Sequence, residues 1–152
     1  MKFETIGKSK MLTKLPLVFF VSFISFGYLA AGSSDEQAIT KTLRNYIDGP
    51  NEKNVVKLKS AFARTATIFY VRDSKLVEIR LEDFFRHIEA GWADPQEHAV
   101  VARKILLIDV FDNAAMAKIQ ANFPDGKATD YISLLKVAGK WLIVNKIFSF
   151  KR

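Results

Sequence analysis

Apolar residues after position 33 first recur at steps of three and four, the spacing of one helix face. The residues of this face are Ala38, Ile39, Leu43, Tyr46 and Ile47. Ser33 and Ser34, followed by two acids, are typical of a helix start. We expect the helix to end at Asp48-Gly49-Pro50, where Gly permits a left-handed cap and Pro cannot continue the hydrogen-bond ladder. A second short helix is predicted over residues 53–61.

The pattern changes to alternation at Thr65, which predicts a hairpin over residues 65–81 with its turn at 72–75. Residues 81–88 (LEDFFRHI) then predict a third helix, with Gly91 after its end. Turn-forming residues separate four further β-rich runs, at 98–111, 114–122, 128–137 and 141–150. This order predicts an α+β domain with helices on one face of an antiparallel sheet.

Alternation divides the last two strands into faces without saying which face is internal. In the first of them, Asp130 shares a face with Ile132 and Leu134, and Tyr131 lies on the other. In the last strand, strict alternation places Trp141 and Ile143 together and groups Leu142, Val144, Lys146 and Phe148 on the opposite face. We expect Trp141 to be a core residue. Lys146 interrupts an apolar run, so it either reaches the surface or faces an anion. We favour the surface or a dimer face.

Residues 1–32 are predicted to be an export signal. They carry four lysines and one glutamate before an uncharged run at 15–31, and Ala30-Ala31-Gly32 suits cleavage after Gly32. An uncleaved membrane anchor is the alternative, because the run is slightly long for a signal and short for a membrane span. In both cases, residues 33–152 would form one domain outside the cytoplasm, in the periplasm or extracellular space.

The composition excludes several classes of function. The formal charge is +7, of which the first 32 residues hold +3, and no Lys/Arg cluster with interleaved aromatics predicts nucleic-acid binding. There is no cysteine, so disulfides and thiolate chemistry are excluded. Only His87 and His98 could supply imidazole, without a third ligand at metal-site spacing. We therefore predict neither a metal nor a cofactor.

Four stretches together resemble the nuclear transport factor 2-like superfamily. They are residues 46–49 (YIDG), 61–62 (AF), 81–88 (LEDFFRHI) and 130–148 (DYISLLKVAGKWLIVNKIF). Within it, the chain is most similar to the exported bacterial group labelled "putative lumazine-binding", close to the SnoaL-like cyclase and ketosteroid isomerase folds. The resemblance implies a cone, in which three helices close the concave side of a strongly curved antiparallel sheet. It also implies a pocket at the wide end and, in many members, a homodimer through the outer sheet face.

Some members of the superfamily are enzymes in which a pocket carboxylate abstracts a proton and a Tyr or acid stabilises the oxyanion. Candidate bases here are Asp130, Asp109 and Glu78, although none aligns with the family's base. Candidate ligand-binding residues are Tyr46, Trp92, Tyr131 and Lys146.

Three hypotheses follow from the sequence. The first is an exported domain that binds a small apolar or aromatic ligand. The second is an isomerase or cyclase using a pocket Asp with Tyr46 or Tyr131 as donor. The third is a homodimeric interaction module, attached to the membrane if the N-terminal segment stays uncleaved.

Overall fold

The computed structural model describes residues 33–93 and 101–152. The predicted export segment and the predicted start of the strand at 98–111, with His98, lie outside these ranges. All of the described residues belong to one compact unit, Ala31–Arg152. Within them, no helix has the length and apolar character needed to cross a membrane.

Three helices form close to the predicted positions. They are α1 (Ser34–Asn51), α2 (Val55–Ser60) and α3 (Leu81–Gly91). The Ser33 hydroxyl accepts a hydrogen bond from the Glu36 N–H at 3.2 Å, and the Asn54 side chain accepts one from the Lys57 N–H at 2.9 Å. Each cap satisfies a backbone donor that the first helical turn leaves without a partner.

The predicted end of α1 is wrong, because the helix continues through Pro50 to Asn51. The left-handed residue after it is Lys53, with φ 52°, and Gly49 has a different role. A Cβ atom on Gly49 would lie 2.8 Å from the backbone nitrogen of Leu58. Glycine is therefore needed for the close packing of α1 against α2. Gly91 is likewise the last residue of α3 and does not follow it.

The described chain forms one curved six-stranded sheet in the order β2-β1-β6-β5-β4-β3. The strands are β1 (Phe62–Arg72), β2 (Lys75–Ile79), β3 (Ala102–Phe111), β4 (Ala114–Phe123), β5 (Gly126–Val137) and β6 (Lys140–Lys151). Two-residue turns with positive φ at both positions join β1 to β2 and β5 to β6, as type I′ hairpin turns require. The sheet is antiparallel as expected, except that β1 and β6 run parallel.

A β-bulge in β6 changes which side chains face the helices. Ser133 pairs with Asn145, but the next residue, Leu134, pairs with Ile143, so Val144 is an extra residue in β6. Because a bulge interrupts the two-residue period, Lys146 faces the same side as Ile143. The prediction that Lys146 shares a face with Val144 is wrong, and so is its expected surface position, since only 5% of it is exposed.

The hydrophobic core fills one end of the space between α1 and the concave face of the sheet. It includes Ile39 and Leu43 of α1, Leu134 of β5 and Ile143 of β6, each at most 1% exposed. Trp141 joins this core, and its indole N–H donates to Asp35 Oδ1 at 3.0 Å. Further along the same elements, the inward residues line a cavity.

Candidate functional site

A cavity of about 1000 Å³ lies beyond the core, between the end of α1, helix α3 and the concave face of the sheet. Its wall is rich in aromatic side chains, a composition typical of small-molecule pockets. These include Tyr46, Tyr70, Phe84, Trp92, Phe123 and Phe148. The rings of Tyr70 and Phe148 are stacked, with centroids 5.0 Å apart and 19° between their planes.

Three buried polar side chains meet where the core gives way to the cavity. The Tyr46 hydroxyl donates a hydrogen bond to Asp130 Oδ2 at 2.6 Å, and Lys146 Nζ lies 3.0 Å from Asp130 Oδ1. Each of the three residues is 4–5% exposed, and all three line the cavity. Both oxygens of the carboxylate are therefore occupied by donors, as a buried charge requires.

Each member of this cluster is positioned by the periodicity of its own element. Tyr46 lies one helical turn beyond Leu43 on the buried face of α1. Asp130 lies on the face of β5 that buries Ile132 and Leu134. The bulge brings Lys146 to that side of β6, where it pairs with Ile132 across the strands.

Burial dominates the electrostatics of the cluster. It raises the pKa of the Tyr46 hydroxyl well above its usual range, and the neighbouring Asp130 charge raises it further. Burial also lowers the pKa of the Lys146 ammonium, although the charge of Asp130 and its hydrogen bond oppose this effect. The nearby Arg103 lowers the pKa of Lys146 as well.

Aromatic faces complete the surroundings of the Lys146 ammonium. Its Nζ lies 4.0 Å from the Phe148 ring centroid, 5.7 Å from that of Phe84 and 5.9 Å from that of Tyr46. Attraction between the cation and the π-systems replaces part of the hydration that burial removes.

Arg103 is a second cation on the cavity wall that sequence reasoning missed. Its guanidinium donates to Asn51 Oδ1 at 3.5 Å and lies 6.0 Å from the Phe123 ring centroid. The same Asn51 oxygen accepts the Val101 N–H at 3.3 Å, which ties the end of α1 to β3. The alternation of β3 places Arg103 on the face of Val101 and Ile105, and this signal could have identified it.

The structure brings together four of the predicted site residues and leaves the others elsewhere. Tyr46, Asp130, Lys146 and Trp92 line the cavity. Tyr131 lies on the outer face of the sheet, 41% exposed. Asp109 and Glu78 are exposed and lie away from the cavity wall.

The pairing of Asp130 limits the chemistry that it can perform. A general base must accept a proton from a ligand, but both Asp130 oxygens already accept from Lys146 and Tyr46. No group of three or more His, Cys, Asp or Glu side chains in the described ranges is arranged to bind a metal. The arrangement is suited to holding a ligand's polar group against a fixed ammonium, with aromatic rings around the rest.

Tyr46→Phe is expected to lower the free energy of unfolding by about 1.5–3 kcal/mol, because it removes a buried hydrogen bond to a charged acceptor. Urea unfolding followed by circular dichroism measures this. Tyr131→Phe is the matched control. It makes the same chemical change on the outer face of the sheet, and it should change the free energy of unfolding by less than about 0.5 kcal/mol. Equal effects of the two substitutions would contradict the assigned hydrogen bond.

Comparison with known proteins places this architecture in a family. The family described as "Putative lumazine-binding" matches residues 34–149. A curated relative from Cladobotryum sp, described as "Aldolase FrzH", is 25% identical over 118 residues, which cover 76% of this chain and 91% of the relative.

Solved structures show the same fold. A nuclear transport factor 2-like protein of unknown function from Shewanella baltica OS155 is 30% identical, with a TM-score of 0.66, and the match covers 78% of this chain and 94% of that one. A second such protein, from Methylobacillus flagellatus KT, is 28% identical, with a TM-score of 0.68 and coverage of 80% and 95%. The chain therefore belongs to the "Putative lumazine-binding" family of the nuclear transport factor 2-like superfamily.

Proposed function

We propose that this protein is an exported domain that binds a small, largely apolar or aromatic molecule in its cone. The observation that carries the proposal is the cavity itself: about 1000 Å³, walled by aromatic rings, with a buried Tyr46–Asp130–Lys146 cluster at its base. Pockets of this kind gain affinity from apolar burial and orientation from a few fixed polar groups.

The wall indicates which ligand chemistry fits. The stacked rings of Tyr70 and Phe148 offer a flat apolar surface beside the Lys146 ammonium. Lys146 has three N–H donors, and Asp130 is its one hydrogen-bond acceptor within the described residues. With Arg103 on the same wall, the site favours a planar or apolar body carrying a hydrogen-bond acceptor such as a carbonyl or carboxylate.

A thermal-shift panel of flavins, pteridines including lumazine, steroids and fatty acids tests this function. A ligand present at a hundredfold excess over its dissociation constant stabilises the native state by about 2.7 kcal/mol, so binding should be readily visible. Phe148→Ala should weaken the shift, whereas Leu135→Ala on the outer sheet face should preserve it. Absence of a shift from every class would contradict the proposal.

Acid–base catalysis is a second candidate function. It is supported by the buried Tyr46–Asp130 hydrogen bond in the cavity and by the relative described as an aldolase. The ion pair with Lys146 opposes a role for Asp130 as a free base. Chromatography of bound compounds after incubation separates the two functions, because a binding domain returns its ligand unchanged and an isomerase or cyclase does not.

We also propose a homodimer through the outer sheet face. Phe69, Ile147 and Tyr131 pair across three neighbouring strands there, and Ile147 is 47% exposed. An apolar row of this kind is typical of an interface. Light scattering after gel filtration should give twice the monomer mass at micromolar concentration, and Ile147→Lys should reduce it to the monomer mass. A monomeric wild-type protein would contradict this proposal.

Export is proposed from the charge and hydropathy of residues 1–32 alone. Expression of the full chain in a bacterial host followed by N-terminal sequencing tests it. A mature protein beginning at Ser33 supports cleaved export, and retention of Met1 on soluble cytoplasmic protein contradicts it.

A further inference from the structure

We propose that Lys146 is a nucleophile, and that its amine forms an imine with an aldehyde or ketone bound in the cavity. This inference rests on the proposed function and narrows its ligand class to carbonyl compounds with an aromatic or apolar body. It gives a role to a lysine that the fold buries at a cost, at the boundary between core and cavity.

The first support is the position of the amine. Lys146 is only 5% exposed, yet it contributes to the cavity wall, so a molecule in the cavity lies against this side chain. The Phe148 ring, 4.0 Å from Nζ, borders the path by which a flat ligand would approach. A carbonyl carbon held among these rings would lie beside a nitrogen whose position is already fixed, which favours attack.

The second support is the set of charged and titratable groups around Nζ. Asp130 at 3.0 Å can accept the proton that the ammonium must lose, and Tyr46 stabilises the other carboxylate oxygen. Arg103 contributes a positive charge on the same wall, which disfavours a second cation nearby. Burial disfavours the ammonium as well, and an amine in such surroundings is more reactive than one on the surface.

The reaction balances within this cluster. Asp130 takes a proton from the Lys146 ammonium, and the neutral amine adds to the carbonyl carbon. One proton then moves from the attacking nitrogen to the former carbonyl oxygen, which gives a neutral carbinolamine while Asp130 stays protonated. The nitrogen lone pair then expels the hydroxyl group, which leaves as water with the proton held by Asp130. The net change is ammonium plus carbonyl to protonated imine plus water, without an oxidant or reductant.

The charge of the product also suits the site. A protonated imine keeps one positive charge and one N–H on the same nitrogen. It can therefore retain the contact with Asp130 and the cation–π contact with Phe148. The buried ion pair is preserved in the product, and the apolar wall limits the return of water that would hydrolyse it.

Reductive trapping tests the inference on the full-length protein. The protein is incubated with 2-naphthaldehyde and sodium cyanoborohydride near pH 7, and each lysine is then quantified by peptide mass spectrometry. Reduction of an imine adds the mass of the aldehyde minus one oxygen atom. Exposed Lys140, in the same strand, is the internal reference. We expect Lys146 to be labelled at least tenfold more than Lys140, because the cavity holds the aldehyde beside an amine whose position is fixed and burial lowers the pKa of that amine.

A double variant and an alcohol complete the design. Asp130→Asn with Lys146→Met removes the amine without leaving a buried charge unpaired, and most of the aldehyde adduct measured on the intact protein should be lost with it. If this variant does not fold, the ratio of Lys146 labelling to Lys140 labelling in the wild-type protein still tests imine formation.

The alcohol 2-naphthalenemethanol cannot form an imine, so its thermal shift reports binding alone. If the alcohol gives a thermal shift but the aldehyde labels Lys146 and Lys140 equally, imine formation by Lys146 is contradicted and the proposed binding function still holds. If the alcohol gives no thermal shift and Lys146 is not labelled selectively, the result contradicts both the imine and the proposed binding function.

Discussion

Asp130→Ala is expected to lower the free energy of unfolding by about 3–5 kcal/mol, the cost of leaving one partner of a buried ion pair without the other. Lys146 would then keep an ammonium inside the protein with only aromatic faces as partners. The Tyr46 hydroxyl would lose its acceptor at the same time. Urea unfolding of the full-length chain, monitored by circular dichroism, measures the loss.

The control for this prediction neutralises both charges together. Asp130→Asn with Lys146→Met retains an acceptor for Tyr46 and fills the same volume, so most of the stability should return. If Asp130→Ala costs no more than an ordinary surface substitution, Lys146 is not held inside by Asp130. That result would contradict the buried contacts assigned to Tyr46, Asp130 and Lys146.

Trp141→Ala is expected to cost about 3–5 kcal/mol, because it leaves a large cavity in the core. Trp141 is 3% exposed, and the backbone oxygen of this residue accepts a hydrogen bond from the Thr42 hydroxyl at 2.8 Å. Together with the indole contact to Asp35, this fastens β6 to α1. Thermal or urea unfolding measures the effect.

Trp92→Ala is the matched comparison, since Trp92 lines the ligand cavity and not the core. It should change stability by about 1 kcal/mol or less and weaken ligand binding instead. If Trp92→Ala destabilised the protein as much as Trp141→Ala, the separation of core from cavity would fail.

Much of the fold follows from local sequence patterns. Helix spacing identified the buried face of α1, including Tyr46, although Ala38 of the predicted face is exposed. Turn residues located the four-stranded meander and the closing hairpin to within a few positions. The parallel pairing of β1 with β6 could not be predicted in this way, because it joins segments distant in sequence and no local pattern encodes it.

The candidate site was harder to predict, because a bulge decides the orientation of Lys146. Strict alternation places Lys146 on the same face as Val144. Because β6 has one extra residue, Lys146 lies instead on the same face as Ile143. A bulge of this kind has no sequence signal of its own, as Val144 is a typical strand residue. The interruption of an apolar run by Lys146 was the useful sign that the position is unusual.

The most direct test of ligand binding in the cone uses the two tryptophan indole N–H resonances of the full chain. Trp92 lines the cavity, and Trp141 lies in the core with its N–H bonded to Asp35. The two resonances are assigned in proton–nitrogen correlation spectra by comparison with Trp92→Phe and Trp141→Phe. The protein is then titrated with 2-naphthalenemethanol and, separately, with the most stabilising compound of the thermal-shift panel. We predict a saturable shift of the Trp92 resonance while that of Trp141 stays in place. A Trp92 resonance that does not move while the protein is stabilised would contradict binding in the cavity.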